Sequence, residues 1–213
     1  MSRKVDRLTL DHLDTFSVPC RSCLFWELDP VRRDRVDDPC AEKDAWVSEV
    51  LREWGSCGRV VLVDDVPVGF AIYAPEAFLP GAASIPTAPV SADAVLLTTV
   101  YVDPEHRGGG LARMLVQGMA ADLIKRGGVG AIEAFGDTAG RGGRCVLPVE
   151  FLGSVGFKTH RPHPSTPRMR MDLRAAITWR SEVESALGRL VGAMRPKSAR
   201  GPAPKSARAS RTS

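Results

Sequence analysis

The chain of 213 residues lacks the features that mark several classes of protein. It contains no apolar run long enough to span a bilayer, which argues against an integral membrane protein. Its first residues, 2–7, are polar, unlike the apolar centre of a secretory signal. From these absences we expect a soluble, cytoplasmic protein without a membrane partner.

Cysteine and tyrosine are both scarce. The five cysteines are an odd number, which argues against a disulfide framework in such a chain. Cys20 and Cys23 have the spacing of half a zinc site or of a redox pair, but no second Cys-x-x-Cys completes a zinc site. We therefore expect reduced cysteines and no metal. The two tyrosines, Tyr73 and Tyr101, are interpreted as core or strand-face residues.

The net charge of +4 does not describe the body of the chain. Six basic residues and no acidic residue lie in 195–213, so positions 1–194 are close to neutral. A nucleic-acid-binding body is not indicated. The tail repeats Pro-Lys-Ser-Ala-Arg at 196–200 and 204–208 and has few apolar residues to bury. It is predicted to be disordered and solvated, with contact to nucleic acid as the alternative.

Hydrophobic periodicity predicts both helices and strands. The predicted helices cover 41–54, 111–125, 146–155 and 175–194. The predicted strands cover 7–13, 59–63, 67–73, 95–102, 129–135 and 168–173, with a hairpin at 64–65. An ordered loop or a short helix is expected over 16–39, and loops are expected over 74–93 and 136–145. The last helix either packs on its own domain or forms a homodimer contact.

The most informative segment is a glycine-rich turn between a strand and a helix. The strand ends at Asp103, the turn contains Gly108–Gly110, and the helix begins at Leu111. Glycines allow backbone N–H groups to approach an anion closely, and the start of a helix adds its positive dipole end. The segment therefore predicts a phosphate site. It is not a Walker loop, because no Lys-Ser/Thr pair follows Gly110.

The turn matches a known acetyl-CoA motif at three positions, Arg107, Gly110 and Ala112. The motif, Gln/Arg-x-x-Gly-x-Gly/Ala, is the signature of the GNAT N-acetyltransferase superfamily, which this chain resembles over about 7–173 in element order and most specifically over 95–126. The resemblance implies an α/β (α+β) fold, a mixed and mostly antiparallel sheet flanked by helices. It implies a domain over 5–174, followed by the helix of 175–194 and the basic tail.

The same resemblance implies acetyl-CoA as the co-substrate. Its pantetheine arm would pair with the backbone of Val100 and Val102 as an added strand does. Its pyrophosphate would bind the amides of the turn, with side-chain charge from Arg107 and Arg113. The complete set of expected cofactor-binding residues is Val100, Val102, Arg107, Gly108, Gly109, Gly110, Leu111, Ala112 and Arg113.

The catalytic groups are harder to assign. Many family members place a tyrosine four residues before a Gly-Phe pair, but here Leu152 stands at that distance from Gly156. Cys145 lies near the start of the helix predicted over 146–155, where a lowered thiol pKa would let it act on the leaving thiolate. Glu133 is the candidate base and Glu27 the second choice. Deprotonation relayed by water is the alternative.

The resemblance implies direct transfer of an acetyl group from acetyl-CoA to a primary amine. The acceptor, a small molecule or a protein, is not identified by the sequence. The alternative function is a module that binds acyl-CoA without turnover and acts through its last helix and its basic tail.

Overall fold

The computed structural model describes residues 1–140 and 145–173, which lie in one compact unit, Met1–Ala176. The predicted helix over 175–194 and the basic tail over 195–213 lie outside the described residues, as does the segment 141–144. No helix in the described ranges combines the length and apolar character needed to cross a membrane.

An eight-stranded sheet forms the centre of the described unit. The strands are β1 (Arg3–Arg7), β2 (Gly58–Val63), β3 (Val66–Ala74), β4 (Ala94–Val102), β5 (Ala131–Asp137), β6 (Leu147–Pro148), β7 (Lys158–Arg161) and β8 (Arg168–Asp172). Their order is β1-β2-β3-β4-β5-β8-β7, with β6 beside β5. Only the pairs β4–β5 and β5–β6 are parallel in this sheet, so the expected mixed, mostly antiparallel sheet is confirmed.

Helices cover both faces of the sheet. They are α1 (Leu10–Asp14), α2 (Pro19–Ser22), α3 (Pro30–Arg33), α4 (Pro39–Glu53), α5 (Leu111–Arg126) and α6 (Val149–Ser154). Three 3₁₀ turns lie at Glu76–Phe78, Pro80–Ser84 and Pro104–His106. The core on one face contains α5 and α6, and the core on the other contains α1 and α4.

Strand alternation and helix capping explain these layers. Val61 and Val63 of β2 point into the core beneath α5, whereas Val60 and Leu62 point toward α4. The α4 helix begins where the Asp38 carboxylate accepts hydrogen bonds from two backbone amides, next to a proline at the first helical position.

Three parts of the predicted pattern differ from the structure. The helix expected over 146–155 begins only at Val149, because the short strand β6 precedes it. The strand expected over 7–13 is wrong: β1 ends at Arg7, and α1 follows because the Thr9 side chain accepts from the His12 amide as an N-cap. The strand β7 was not predicted, because its residues are exposed throughout and carry no hydrophobic alternation. The hairpin prediction is confirmed, with Asp64 and Asp65 at positive φ between β2 and β3.

The parallel strands β4 and β5 separate in mid-sheet. Their pairing covers Ala94–Leu96 and Ala131–Glu133. Beyond this point, residues 97–102 pair with β3, while the end of β5 pairs with β8 and β6. The separation leaves an unpaired backbone edge on the C-terminal half of β4 among the described residues.

Candidate active site

The unpaired half of β4 presents backbone donors and acceptors from alternate residues. The Asp103 amide donates to the carbonyl of Val68 at 2.9 Å, so Asp103 faces β3. Because neighbouring residues of a strand point their polar groups in opposite directions, Val102 and Val100 face the unpaired side. These are the two residues expected to pair with a pantetheine arm.

The turn after β4 is open and rich in backbone amides. Gly108 and Gly110 have φ values of +79° and +80°, a conformation that glycine adopts without strain. A Cβ atom added at either position would meet nothing within 4 Å. Gly110 is the N-cap of α5 and supplies no side-chain cap, so the first amides of α5 and its positive dipole end face this open space.

Arg107 and Arg3 hold the turn in place. The Arg107 Nε donates to the Val102 carbonyl at 3.0 Å, and the Arg3 guanidinium donates to the Gly109 carbonyl at 2.8 Å. The Arg107 side chain thus fastens the turn to β4, and it occupies one acceptor of the free edge. Arg113 is exposed on the first turn of α5.

Glu133 lies in a buried network of ion pairs. Its side chain is fully buried, its Oε1 lies 3.1 Å from Arg170 Nη1, and its Oε2 lies 3.3 Å from Arg168 Nε. The Ser91 amide also donates to Oε2, at 3.1 Å. These contacts give the carboxylate a structural task, while its role as a base stays a prediction.

Cys145 lies against a second cysteine that the sequence does not place nearby. Its Sγ is 2.8 Å from the Sγ of Cys23, with both side chains half-buried. The hydrogen bond to Cys23, followed by burial, raises the pKa of Cys145, opposite to the lowering expected from a helix start. Cys145 is a protonated thiol at neutral pH, and its catalytic role stays a prediction.

Glu27, the second candidate base, is also paired. Its Oε1 accepts a hydrogen bond from Lys43 Nζ, and both side chains are almost completely buried. Its other oxygen, Oε2, is buried without a hydrogen-bond partner in the described chain. An amine acceptor would therefore meet this carboxylate only if the ion pair or the loop over it rearranged.

The two tyrosines occupy different environments. Tyr73 is completely buried, donates to Asp122 Oδ2 at 3.1 Å, and has a pKa raised to about 12, mainly by burial. This confirms its assignment to the core. Tyr101 is half-buried on the unpaired half of β4 and donates to Asp103 Oδ1 at 2.8 Å.

The structure thus brings all nine expected cofactor-binding residues onto one continuous edge and turn. It does not bring Glu133 and Cys145 together as an acid and base pair. The sequence analysis did not pair Arg168 and Arg170 with Glu133, although their alternation with methionine along the strand now called β8 was visible. It also missed Cys23 as the partner of Cys145.

Comparison with known proteins agrees with this geometry. Residues 22–141 match the model of the acetyltransferase (GNAT) family. The chain belongs to this family. The match confirms the GNAT family and the acetyltransferase activity that the motif around Gly110 indicated. No curated protein sequence matches the chain.

Solved structures show the same GNAT fold at low sequence identity. The structure of yncA from Salmonella typhimurium, with its cofactor acetyl-CoA, has a TM-score of 0.53 and 17% identity over 81% of this chain and 95% of that one. An N-acetyltransferase from Staphylococcus aureus Mu50 has a TM-score of 0.53 and 16% identity over 81% and 99% of the two chains. Ard1 from Thermoplasma volcanium has a TM-score of 0.51 and 12% identity over 81% and 98%.

Within residues 1–140 and 145–173 of the GNAT chain, no cluster of three or more His, Cys, Asp or Glu residues is arranged to hold a metal ion.

Proposed function

We propose that the protein transfers an acetyl group from acetyl-CoA directly to a primary amine in a ternary complex. The observation that carries this proposal is the continuity of the free β4 edge with the open turn at Gly108–Gly110 and the start of α5. A pantetheine arm, which is a chain of amides, suits the first part. A pyrophosphate suits the second. The yncA structure contains acetyl-CoA, which supports this donor.

Each part of the site has a defined task in this proposal. The Val100 carbonyl and the Val102 amide pair with pantetheine, because Arg107 already occupies the Val102 carbonyl and the Val100 amide is kept for the thioester. The amides of residues 108–112 hold the pyrophosphate. The Val100 amide polarises the thioester carbonyl, and the rate gain comes largely from holding the two substrates together.

Proton removal from the amine has no dedicated base among the groups considered. Both carboxylate candidates, Glu133 and Glu27, are engaged by buried cations. We therefore propose that water relays the proton from the amine. The same observation favours the second candidate function, an acyl-CoA-binding module with little or no turnover. In either case a cytoplasmic location, a homodimer and a role for the basic tail remain predictions.

Thermal unfolding with and without acetyl-CoA tests the binding part. A ligand at ten times its Kd adds about 1.4 kcal/mol of stability, which raises the Tm by about 3–6 °C in a chain of this size. Gly110→Glu places a carboxylate at the proposed pyrophosphate site and should abolish the shift.

Gly128→Glu is the matched control for this variant. Gly128 is also exposed, has a φ of +77°, and leaves its added Cβ without a neighbour within 4 Å. It follows the far end of α5, so Gly128→Glu should keep the ligand shift while it carries the same backbone strain of about 1–2 kcal/mol. The absence of a shift in the unmutated protein at millimolar acetyl-CoA would contradict the proposal.

An amine panel assayed by release of free CoA separates the two candidate functions. Direct transfer predicts CoA release with at least one amine and intersecting initial-velocity lines when both substrates are varied. The module without turnover predicts ligand-induced stabilisation but no amine-dependent release.

A further inference from the structure

A pair of cysteines from distant parts of the chain meets on the face of the sheet that α1 and α4 cover. Cys23 follows α2 and Cys145 precedes β6, 122 residues apart in sequence, yet their sulfur atoms are 2.8 Å apart. The transfer proposed above assigns no step to either residue. We propose that Cys23 and Cys145 form a reversible disulfide when the protein meets a peroxide, so that the pair is a site of oxidative modification. This proposal does not rest on the proposed function.

Buried side chains hold both cysteines in position. The Lys43 ammonium donates to the Cys23 carbonyl at 2.8 Å, and the Trp26 indole N–H donates to the Cys145 carbonyl at 2.8 Å. Lys43 and Trp26 are each 2% exposed. Each cysteine carbonyl is therefore anchored by a buried donor, and a further approach of the sulfur atoms by about 0.8 Å gives the length of a disulfide bond.

The surroundings distinguish an attacking thiolate from a resolving thiol. The hydrogen bond from Cys145, with help from the Phe25 amide and the Lys43 ammonium, lowers the pKa of Cys23 to about 6 despite partial burial. Cys145 remains protonated, since its own pKa is raised. A thiolate is the form that peroxides oxidise, and a neighbouring thiol is what converts the product into a disulfide.

A peroxide can reach the sulfur atoms. Cys23 and Cys145 both line an open surface pocket of about 350 Å³, together with Phe25 and Arg33. The fully buried Cys57 contrasts with this pair, because burial raises its pKa to about 12 and excludes it from the reaction.

The chemistry proceeds in two steps. The Cys23 thiolate attacks one oxygen of hydrogen peroxide, the O–O bond breaks, and hydroxide leaves while Cys23 becomes a sulfenic acid. The Cys145 sulfur then attacks the sulfenic sulfur, the S–O bond breaks, and water leaves with the proton of Cys145. Two thiols are thereby oxidised to one disulfide, and one peroxide is reduced to two waters once the hydroxide takes up the proton that Cys23 released.

The test is to oxidise the purified full chain with hydrogen peroxide at pH 7 and map the product by mass spectrometry. Cleavage after lysine and arginine places each cysteine in a separate peptide: residues 8–21, 22–32, 36–43, 53–59 and 145–158. The expected result is a linked pair of peptides 22–32 and 145–158, lighter than the sum of both by two hydrogen atoms. Dithiothreitol should separate them, and the intact oxidised protein should have lost two of its five thiols.

Variants identify the two roles. Cys145→Ser should abolish the link and leave a sulfenic acid on peptide 22–32 that dimedone traps. Cys23→Ser should give no dimedone adduct on peptide 145–158. Cys20→Ser and Cys40→Ser are the controls and should retain the link. A link between peptide 8–21 and either partner, oxidation to sulfinic acid without a link, or an unmodified Cys23 would each overturn the proposal.

Discussion

Replacing Glu133 by glutamine separates a structural carboxylate from a catalytic base. Glutamine preserves the volume and accepts the hydrogen bond from the Ser91 amide, but it removes the negative charge. In the folded chain that charge lies 3.3 Å from Arg168 Nε and 3.1 Å from Arg170 Nη1. If Glu133 serves to hold these guanidinium groups, the variant should have a clearly lower free energy of unfolding while its kcat changes little.

The expected loss follows from the partners that each arginine retains. Breaking a buried ion pair on one side costs about 3–5 kcal/mol. Arg170 keeps Asp93 at 2.7 Å and Asp172 at 2.8 Å, whereas the ion pair of Arg168 in the described chain is with Glu133. We therefore expect the lower end, about 3 kcal/mol, which corresponds to a fall in Tm of about 6–12 °C.

Urea unfolding and CoA release, measured on the same preparation, make the comparison. Asp93→Asn is the matched control: it removes a charge from the same network, but its side chain is 55% exposed, so we expect a change below about 1 kcal/mol. A structural Glu133 predicts a kcat within tenfold of the unmutated enzyme. A general base predicts instead a loss of about 10²–10⁴ in kcat. Unfolding free energy within about 0.5 kcal/mol of the original would refute the reasoning.

Three further predictions concern the thiols and the second ion pair. Alkylation of Cys23 by iodoacetamide, read from the labelled peptide, should increase with pH around a midpoint of about 6, because the thiolate is the form that reacts. Cys145→Ala should move this midpoint upward by removing the hydrogen-bond donor; an unchanged midpoint would contradict the role of Cys145 in lowering the pKa of Cys23. Lys43→Met should lower the unfolding free energy by about 3–5 kcal/mol by leaving Glu27 uncompensated, and adding Glu27→Gln should recover part of it; urea unfolding of a double variant as unstable as the single one would argue against the pair. Oxidation should raise the free energy of unfolding by about 5 kcal/mol, because the disulfide closes a loop of 122 residues, and the urea midpoint should rise with it. Equal urea midpoints for the oxidised and the reduced protein would show that strain cancels this gain.

The strand, turn and helix at the cofactor side could be predicted from the sequence because their signals are local. Glycines at 108–110, a proline after the strand and the apolar spacing of α5 each act within a few residues. The structure starts α5 at Leu111, as predicted, and ends it at Arg126, where Gly127 adopts a φ of +73°. The hairpin between β2 and β3 is local in the same sense.

The contacts of the candidate catalytic residues Glu133 and Cys145 depend on residues far apart in sequence. Cys23 meets Cys145 across 122 positions, and Glu133 meets Arg170 across 37. Periodicity and motif spacing carry no information about such pairs, because each partner is ordinary in its own segment. The short helix α1 was missed for a different reason: the alternation of Leu8 and Leu10 matched a strand, and the capping oxygen of Thr9 outweighed it.

This difference bears on how the amine loses its proton. The cofactor side consists of backbone groups, which are available to a ligand without disturbing the fold. The two candidate carboxylates, by contrast, are each engaged: Glu133 by two arginines and Glu27 by Lys43. Recruiting a buried carboxylate as a base would require breaking an ion pair at a cost of about 3–5 kcal/mol, equivalent to a factor of more than 10² in rate. General-base catalysis contributes about 10²–10⁴, so most of the benefit would be lost in freeing the group. The described geometry therefore favours proton transfer from the amine to water over a carboxylate released from either pair.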